Sequence, residues 1–129
     1  MRYLLDTHTF IWAMEGNPRL SIHAQQVIQS ANDQIWVSMA TFWEMAIKIN
    51  LGKMTLQQPL SDVIQEAKRQ KMQILPIYEA HVLAIETFPL HHRDPFDRML
   101  IAQAAQENLA VLGCDVAFDA YTAHIQRIW

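Results

Sequence analysis

Met1-Arg2-Tyr3-Leu4-Leu5-Asp6-Thr7-His8 is the stretch on which the fold turns. Met1 to Leu5 reads as a short buried strand, cut off by the carboxylate of Asp6. Thr7 to Met14 reads as a helix, and Gly16-Asn17-Pro18 breaks it. The same strand-then-helix order recurs along the chain. Ser21 opens a second helix whose apolar positions are Ile22, Val27 and Ile28. Asn32-Asp33 is a turn, and Gln34-Ile35-Trp36-Val37 is strand-like in its β-branched and aromatic content. From Ser38 or Thr41 a helix runs through Glu44 and Lys48 to about Leu51, with Gly52 as its stop.

Pro59 starts an amphipathic segment through Val63, Ile64 and Ala67, with Lys68, Arg69 and Lys71 on its polar face. Ile74 to Ile77 is a short strand interrupted by Pro76, which suits the edge of a sheet. Glu79 to Phe88 is a helix ended by Pro89, and Leu90 to Arg93 is a loop. Asp94-Pro95 starts a helix, with Asp as N-cap and Pro at the first helical position, and that helix carries Met99, Leu100, Ile101, Ala104 and Ala105. Leu109 to Leu112 is an apolar strand ending near Asp115, and His124 to Trp129 alternates as a last strand. Alternating strands and helices predict an α/β fold with a mostly parallel sheet and helices on both faces.

The 129 residues, 51% of them hydrophobic and 18% charged, suit one folded domain spanning 1–129 and exclude a disordered chain. No apolar run approaches the roughly 20 residues of a membrane span. Cys114 is the only cysteine, so no internal disulfide forms and a reducing, cytoplasmic setting is expected. A net charge of −3 is the wrong sign for neutralising phosphates. Carboxylates that hold cations count as negative in that sum, however, and basic patches occur on acidic chains.

Ligands of parallel α/β sheets bind outside the carboxyl ends of the strands. Asp6 and Asp115 sit at two such ends, Glu44 lies early in the helix after the second strand, and Asp97 lies in the first turn of the helix opened by Asp94. Converging carboxylates repel one another unless protons or cations intervene. Oxygen ligands favour Mg²⁺ or Mn²⁺, and a carboxylate-held metal activates water for attack on a phosphodiester. Each acid also has a plainer role. Asp6 and Asp94 suit helix caps, Glu44 has capping-box spacing from Thr41 and ion-pair spacing to Lys48, Asp97 suits the helix dipole, and Asp115 suits a turn, as Asp119 does.

Leu4-Leu5-Asp6-Thr7-His8, Trp43-Glu44-Met45-Ala46-Ile47-Lys48, His92-Arg93-Asp94-Pro95-Phe96-Asp97-Arg98 and Leu100-Ile101-Ala102-Gln103-Ala104 resemble, in order and spacing, the PIN domain and its VapC-like toxin branch. The resemblance covers essentially the whole chain. It implies a three-layer α/β/α sandwich, Mg²⁺- or Mn²⁺-dependent cleavage of RNA and a homodimer. It also implies the toxin's place in a type II toxin–antitoxin pair, with a small antitoxin blocking the site. By position it makes Asp6 and Asp97 the principal metal ligands, completed by Glu44 and Asp115, with Asp94, Thr7 and Arg98 in support. One departure stands out. The family often has Thr or Ser two residues before the last acid, where a hydroxyl supports the first aspartate, and this chain has Gly113. Thr7 is the candidate to compensate.

Other residues are open to two readings. Cys114 beside Asp115 has no Cys–His constellation and reads as a buried small thiol. His91-His92 lacks a partner at metal-ligand spacing and reads as an exposed loop near the active edge. Lys48, Arg93 and Arg98 either contact RNA phosphates or pair with nearby acids. Trp12, Trp36 and Trp43 read as core or dimer interface, with stacking on bases the lesser alternative. The competing functions are a catalytically weak PIN-fold module that binds RNA or antitoxin, inactive through Gly113, and a different Mg²⁺ α/β protein. The latter lacks its marks: no paired acids follow the first strand, and Asp6-Thr7-His8 is not Asp-x-Asp.

Overall fold

A computed structural model describes residues 1–129. The apolar opening run forms β1 (Arg2–Leu5), which becomes the centre of a five-stranded sheet. With β2 (Gln34–Ser38), β3 (Gln73–Leu75), β4 (Ala110–Leu112) and β5 (Arg127–Ile128), the strand order is β3-β2-β1-β4-β5, every neighbouring pair parallel. In register, Leu4 faces Trp36 on one side and Val111 on the other. Residues of a strand alternate between faces, and here each face finds its own core. Tyr3, Leu5, Ile35, Val37, Ala110 and Leu112 belong to one buried cluster, while Leu4 and Val111 belong to a second.

Helices cover both. Helices α1 (Thr7–Glu15), α2 (Ile22–Gln29), α3 (Met39–Asn50) and α4 (Leu60–Arg69) supply Phe10, Ala24, Val27, Phe42, Met45 and Ala67 to the first cluster. Helix α6 (Pro95–Glu107) supplies Leu100, Ile101 and Ala104 to the second, and α5 (Glu79–Thr87) packs on α6. The result is the expected three-layer α/β/α sandwich. No helix is long and apolar enough to cross a membrane.

Most element starts are written locally. The side chains of Asp6, Ser21, Ser38 and Asp94 cap α1, α2, α3 and α6, and Gly16 ends α1 in the left-handed conformation at φ 65°. One choice the sequence left open is settled, and three details depart from its reading. Ser38, not Thr41, is the cap of α3, because its hydroxyl reaches Ala40 N at 2.9 Å. Ile22 is 75% exposed, since Ala24 and Val27, not Ile22, are on the face of α2 that meets the core. Edge strand β3 stops before Pro76 instead of running through it. The stretch after Asp115 is a 3-10 helix (Val116–Tyr121), so the last strand shortens to Arg127–Ile128.

Candidate carboxylate site

Parallel strands deliver their carboxyl ends to one edge, and the acids stand there. Asp6 follows β1 directly. Its Oδ1 accepts the Thr9 N–H at 2.8 Å, so it is both the cap of α1 and a carboxylate only 3% exposed. Burial pushes its carboxyl up, against the hydrogen bonding from Thr9 that favours the anion, and the charge of Asp115 adds to the rise.

Glu44 is buried on the inner side of α3, and both its oxygens are engaged. Oε1 accepts the Thr7 hydroxyl at 2.9 Å, and Oε2 accepts Lys48 Nζ at 2.7 Å. The capping-box role fails because Ser38 holds the cap, while the pairing with Lys48 is present. Thr7 is spent on Glu44 and lies 3.3 Å from the Thr41 hydroxyl, so it does not make good the hydroxyl absent at Gly113.

Asp97 lies one turn into α6. The Asp94 carboxylate accepts the N–H groups of Phe96 (2.8 Å) and Asp97 (3.2 Å), which fixes the start of the helix and with it the position of Asp97. The Asp97 carboxyl is pushed up to about 7, first by burial, then by Asp94, Glu44, Asp6 and Asp115 in that order. Asp94 acts from the cap of the same helix, and Glu44, Asp6 and Asp115 act from three other elements, which is what convergence means electrostatically. Asp115 is the outermost. It is exposed, and its side chain accepts Ala117 N–H at 2.9 Å to cap the 3-10 helix.

The sequence reading set His92 aside for want of a partner at metal-ligand spacing, and the structure supplies partners from distant positions. Ligand atoms of His92, Asp97 and Asp115 all lie within 4.8 Å of one another. His92 Nε2 is 2.9 Å from Asp97 Oδ2, close enough for an ion pair but off the direction a hydrogen bond requires. Spacing along the chain gave no sign of this, because the loop folds back so that Asp94 N–H donates to His92 Nδ1 at 3.3 Å. Arg98 stays outside the cluster. Its guanidinium donates to the carbonyls of Ile85, Pro89 and His92 and to the Tyr121 hydroxyl, at 3.2–3.5 Å, and pins the loop before α6. Arg93 is exposed. Trp12 and Trp36 are half-buried, whereas Trp43 is 56% exposed with its ring edge-to-face against Phe96. Cys114 is half-buried, less enclosed than the sequence reading had it. Burial and then Asp6 push its thiol up, the wrong direction for a nucleophile.

The donor set is one of hard carboxylate oxygens with a single imidazole beside them, and burial first, then the charges of the neighbouring acids, raise the Asp97 carboxyl to about 7 from its ordinary 3.8. That chemistry fits a divalent cation such as Mg²⁺ or Mn²⁺. Asp6, Asp97 and Asp115 have carboxylate oxygens to offer it.

A parallel α/β sandwich with acids gathered at the carboxyl edge of its sheet defines a class of carboxylate-site α/β proteins. Within that class the chain belongs to the PIN domain family, whose model matches residues 3–123. No curated protein matches the chain in sequence. Among solved structures, VapBC2 of Rickettsia felis, bound to a promoter DNA fragment, aligns with a TM-score of 0.74 at 12% identity, covering 100% of this chain and 99% of that one. DNA-bound VapBC from Salmonella typhimurium aligns at 0.71 and 15% identity, over 99% and 97% of the two chains. VapBC-1 from nontypeable Haemophilus influenzae aligns at 0.67 and 23% identity, again over 99% and 97%. At these identities the likeness is one of fold.

Proposed function

We propose that residues 1–129 act as a single PIN domain, a metal-dependent endoribonuclease of the VapC type and the toxin of a type II toxin–antitoxin pair. One observation carries the reading: ligand atoms of His92, Asp97 and Asp115 lie within 4.8 Å of one another at the edge that also holds buried Asp6 and Glu44, so like charges crowd there. A stable fold tolerates such repulsion where a cation relieves it. Asp6, Asp97 and Asp115 would hold Mg²⁺ or Mn²⁺, with Glu44 completing the site. When bound, such a metal lowers the pKa of water and stabilises charge on a phosphodiester.

The chain's own residues hold the pieces in place. Thr7 and Lys48 fix the Glu44 carboxylate, Asp94 fixes the first turn of α6, and Thr9 fixes Asp6. Resemblance to the VapC branch and likeness to VapBC assemblies support a small antitoxin as partner. A guanidinium from that antitoxin matches a carboxylate site and would occupy the metal's place. Exposed Met39 and Trp43, one turn apart on α3, suit a homodimer interface.

The test has two stages. Mn²⁺ should raise the melting midpoint of the purified chain, and Asp6→Asn/Asp97→Asn should abolish the response. Total cellular RNA incubated with chain and metal should then show new ends at defined sites, absent with the double variant. Metal binding with no new ends anywhere in that RNA pool would move the binding-module reading ahead of the nuclease.

A further inference from the structure

Gly113 is where the acidic edge departs from the family's usual pattern, and the structure shows what the missing side chain makes room for. A Cβ at position 113 would stand 2.5 Å from Asp6 Oδ2 and 2.8 Å from Asp6 Cγ. Non-bonded heavy atoms settle at about 3.5 Å or more. Gly113 is not among the glycines with positive φ, so room, not backbone conformation, is what position 113 demands.

Neither partner has slack. The Asp6 carboxylate sits on a one-carbon stem, with Oδ1 held by Thr9 N–H at 2.8 Å and the residue's own N–H donating to Leu112 O at 3.1 Å. On the other side, Gly113 N–H donates to Ile128 O at 3.0 Å, and its carbonyl accepts Arg127 Nη1 at 3.2 Å. Arg127 is itself forked onto both carboxylate oxygens of Asp119, at 2.8 and 2.9 Å. A methyl group at 113 therefore meets a fixed carboxylate across a fixed backbone.

We propose that Gly113 is a positioning residue for Asp6. Its bare Cα is the seat of the carboxylate. The consequence for metal rests on the metal-site reading, whereas the seat rests on the sterics alone. The proposal also reverses an expectation. A hydroxyl at position 113, the family's frequent choice, would harm this site, because the volume it needs is already filled by Asp6.

A double-mutant cycle decides it. Melting midpoints are measured in chelator for the parent chain, Gly113→Ala, Gly113→Ser, Asp6→Ala and Asp6→Ala/Gly113→Ala, and Mn²⁺ affinity is read from the electron paramagnetic resonance of free Mn²⁺. With Asp6 present, Ala or Ser at 113 should lower the midpoint by about 5 °C or more. With Ala at 6, where only a Cβ at 3.3 Å remains to be met, the same Ala at 113 should shift it by less than about 2 °C. Mn²⁺ affinity of both single variants at 113 should fall about tenfold or more. An equal loss in both backgrounds overturns the seat, and so does a Gly113→Ser chain that binds Mn²⁺ as tightly as the parent. If Gly113→Ala fails to fold, recovery of the fold in Asp6→Ala/Gly113→Ala supports the seat, and its failure there refutes it. A parent chain that binds no Mn²⁺ removes the metal-site reading, and the melting cycle still decides the seat.

Discussion

His92 Nε2 stands 2.9 Å from Asp97 Oδ2 while His92 Nδ1 accepts the backbone N–H of Asp94 at 3.3 Å. With Nδ1 accepting, Nε2 is the ring nitrogen that can carry a proton, beside Asp97 but off the line of a hydrogen bond. Nε2 is buried and has no hydrogen-bond partner of its own. His92→Phe keeps the ring and removes that N–H. We expect Mn²⁺ affinity to fall about tenfold, the usual scale for groups that orient a metal ligand. Titration calorimetry of parent and variant checks this, and equal affinities would remove His92 from the site.

Metal-free stability should fall as pH rises. The folded chain holds a proton on Asp97 up to about 7, whereas the carboxyl's ordinary value is 3.8. The stability linked to that proton is fully present below the unfolded value near 4 and is lost as pH climbs through about 7. Asp6, also raised, acts in the same direction. The loss for Asp97 should be on the order of 1–2 kcal/mol, discounted for a side chain still 20% exposed. Urea unfolding at about pH 5 and about pH 8 in chelator measures it. Asp97→Asn should flatten the profile, and a parent chain whose stability does not decline over that range would contradict the assignment.

Asp94 combines a favourable cap with an unfavourable charge, and two variants separate them. Asp94→Ala loses the bonds to Phe96 and Asp97 N–H and should cost about 1 kcal/mol of stability. Asp94→Ser keeps a capping oxygen and removes the anion beside Asp97. It should be the more stable of the two and should shift the Asp97 titration downward. Carboxyl resonances followed by NMR against pH report that shift, and no difference between the variants would show that the cap is not what Asp94 supplies.

Arg98 holds the approach to the site from behind. Arg98→Lys keeps the charge but loses the fork that spans the carbonyls of Ile85, Pro89 and His92 and the Tyr121 hydroxyl. We expect a cost of about 1–3 kcal/mol and faster amide exchange of His91 and His92, whose N–H groups both donate to Tyr121 Oη at 3.0 Å. Protection of those two amides unchanged in the variant would place the pinning elsewhere.

The layers and most boundaries were legible because they are written in neighbouring residues. Tyr3-Leu4-Leu5 before Asp6, Gly16 after α1, and Asp94-Pro95 before α6 each act within a turn of themselves. The acids were legible for a different reason: in a parallel sheet, the ends of strands and the starts of the next helices share an edge. What stayed hidden depends on residues distant in sequence. The exposure of Ile22 follows from how α2 meets the sheet, and its own sequence marks it as apolar. His92 enters the cluster only because its loop is held back on itself by Arg98 and Tyr121. The commitment of Thr7 to Glu44, and the occupation of the space over Gly113 by Asp6, are facts of three-dimensional neighbours with no trace in spacing.

Strand β5 pairs with β4 and takes the N–H of Gly113 at Ile128 O, so residues near position 128 fix the floor under Asp6. In the order of synthesis, Asp6 precedes the strand that secures the backbone seating it. A nascent chain still short of Arg127 lacks that tie on the Gly113 backbone. Under the nuclease reading proposed above, that ordering delays assembly of the site until β5 has been made.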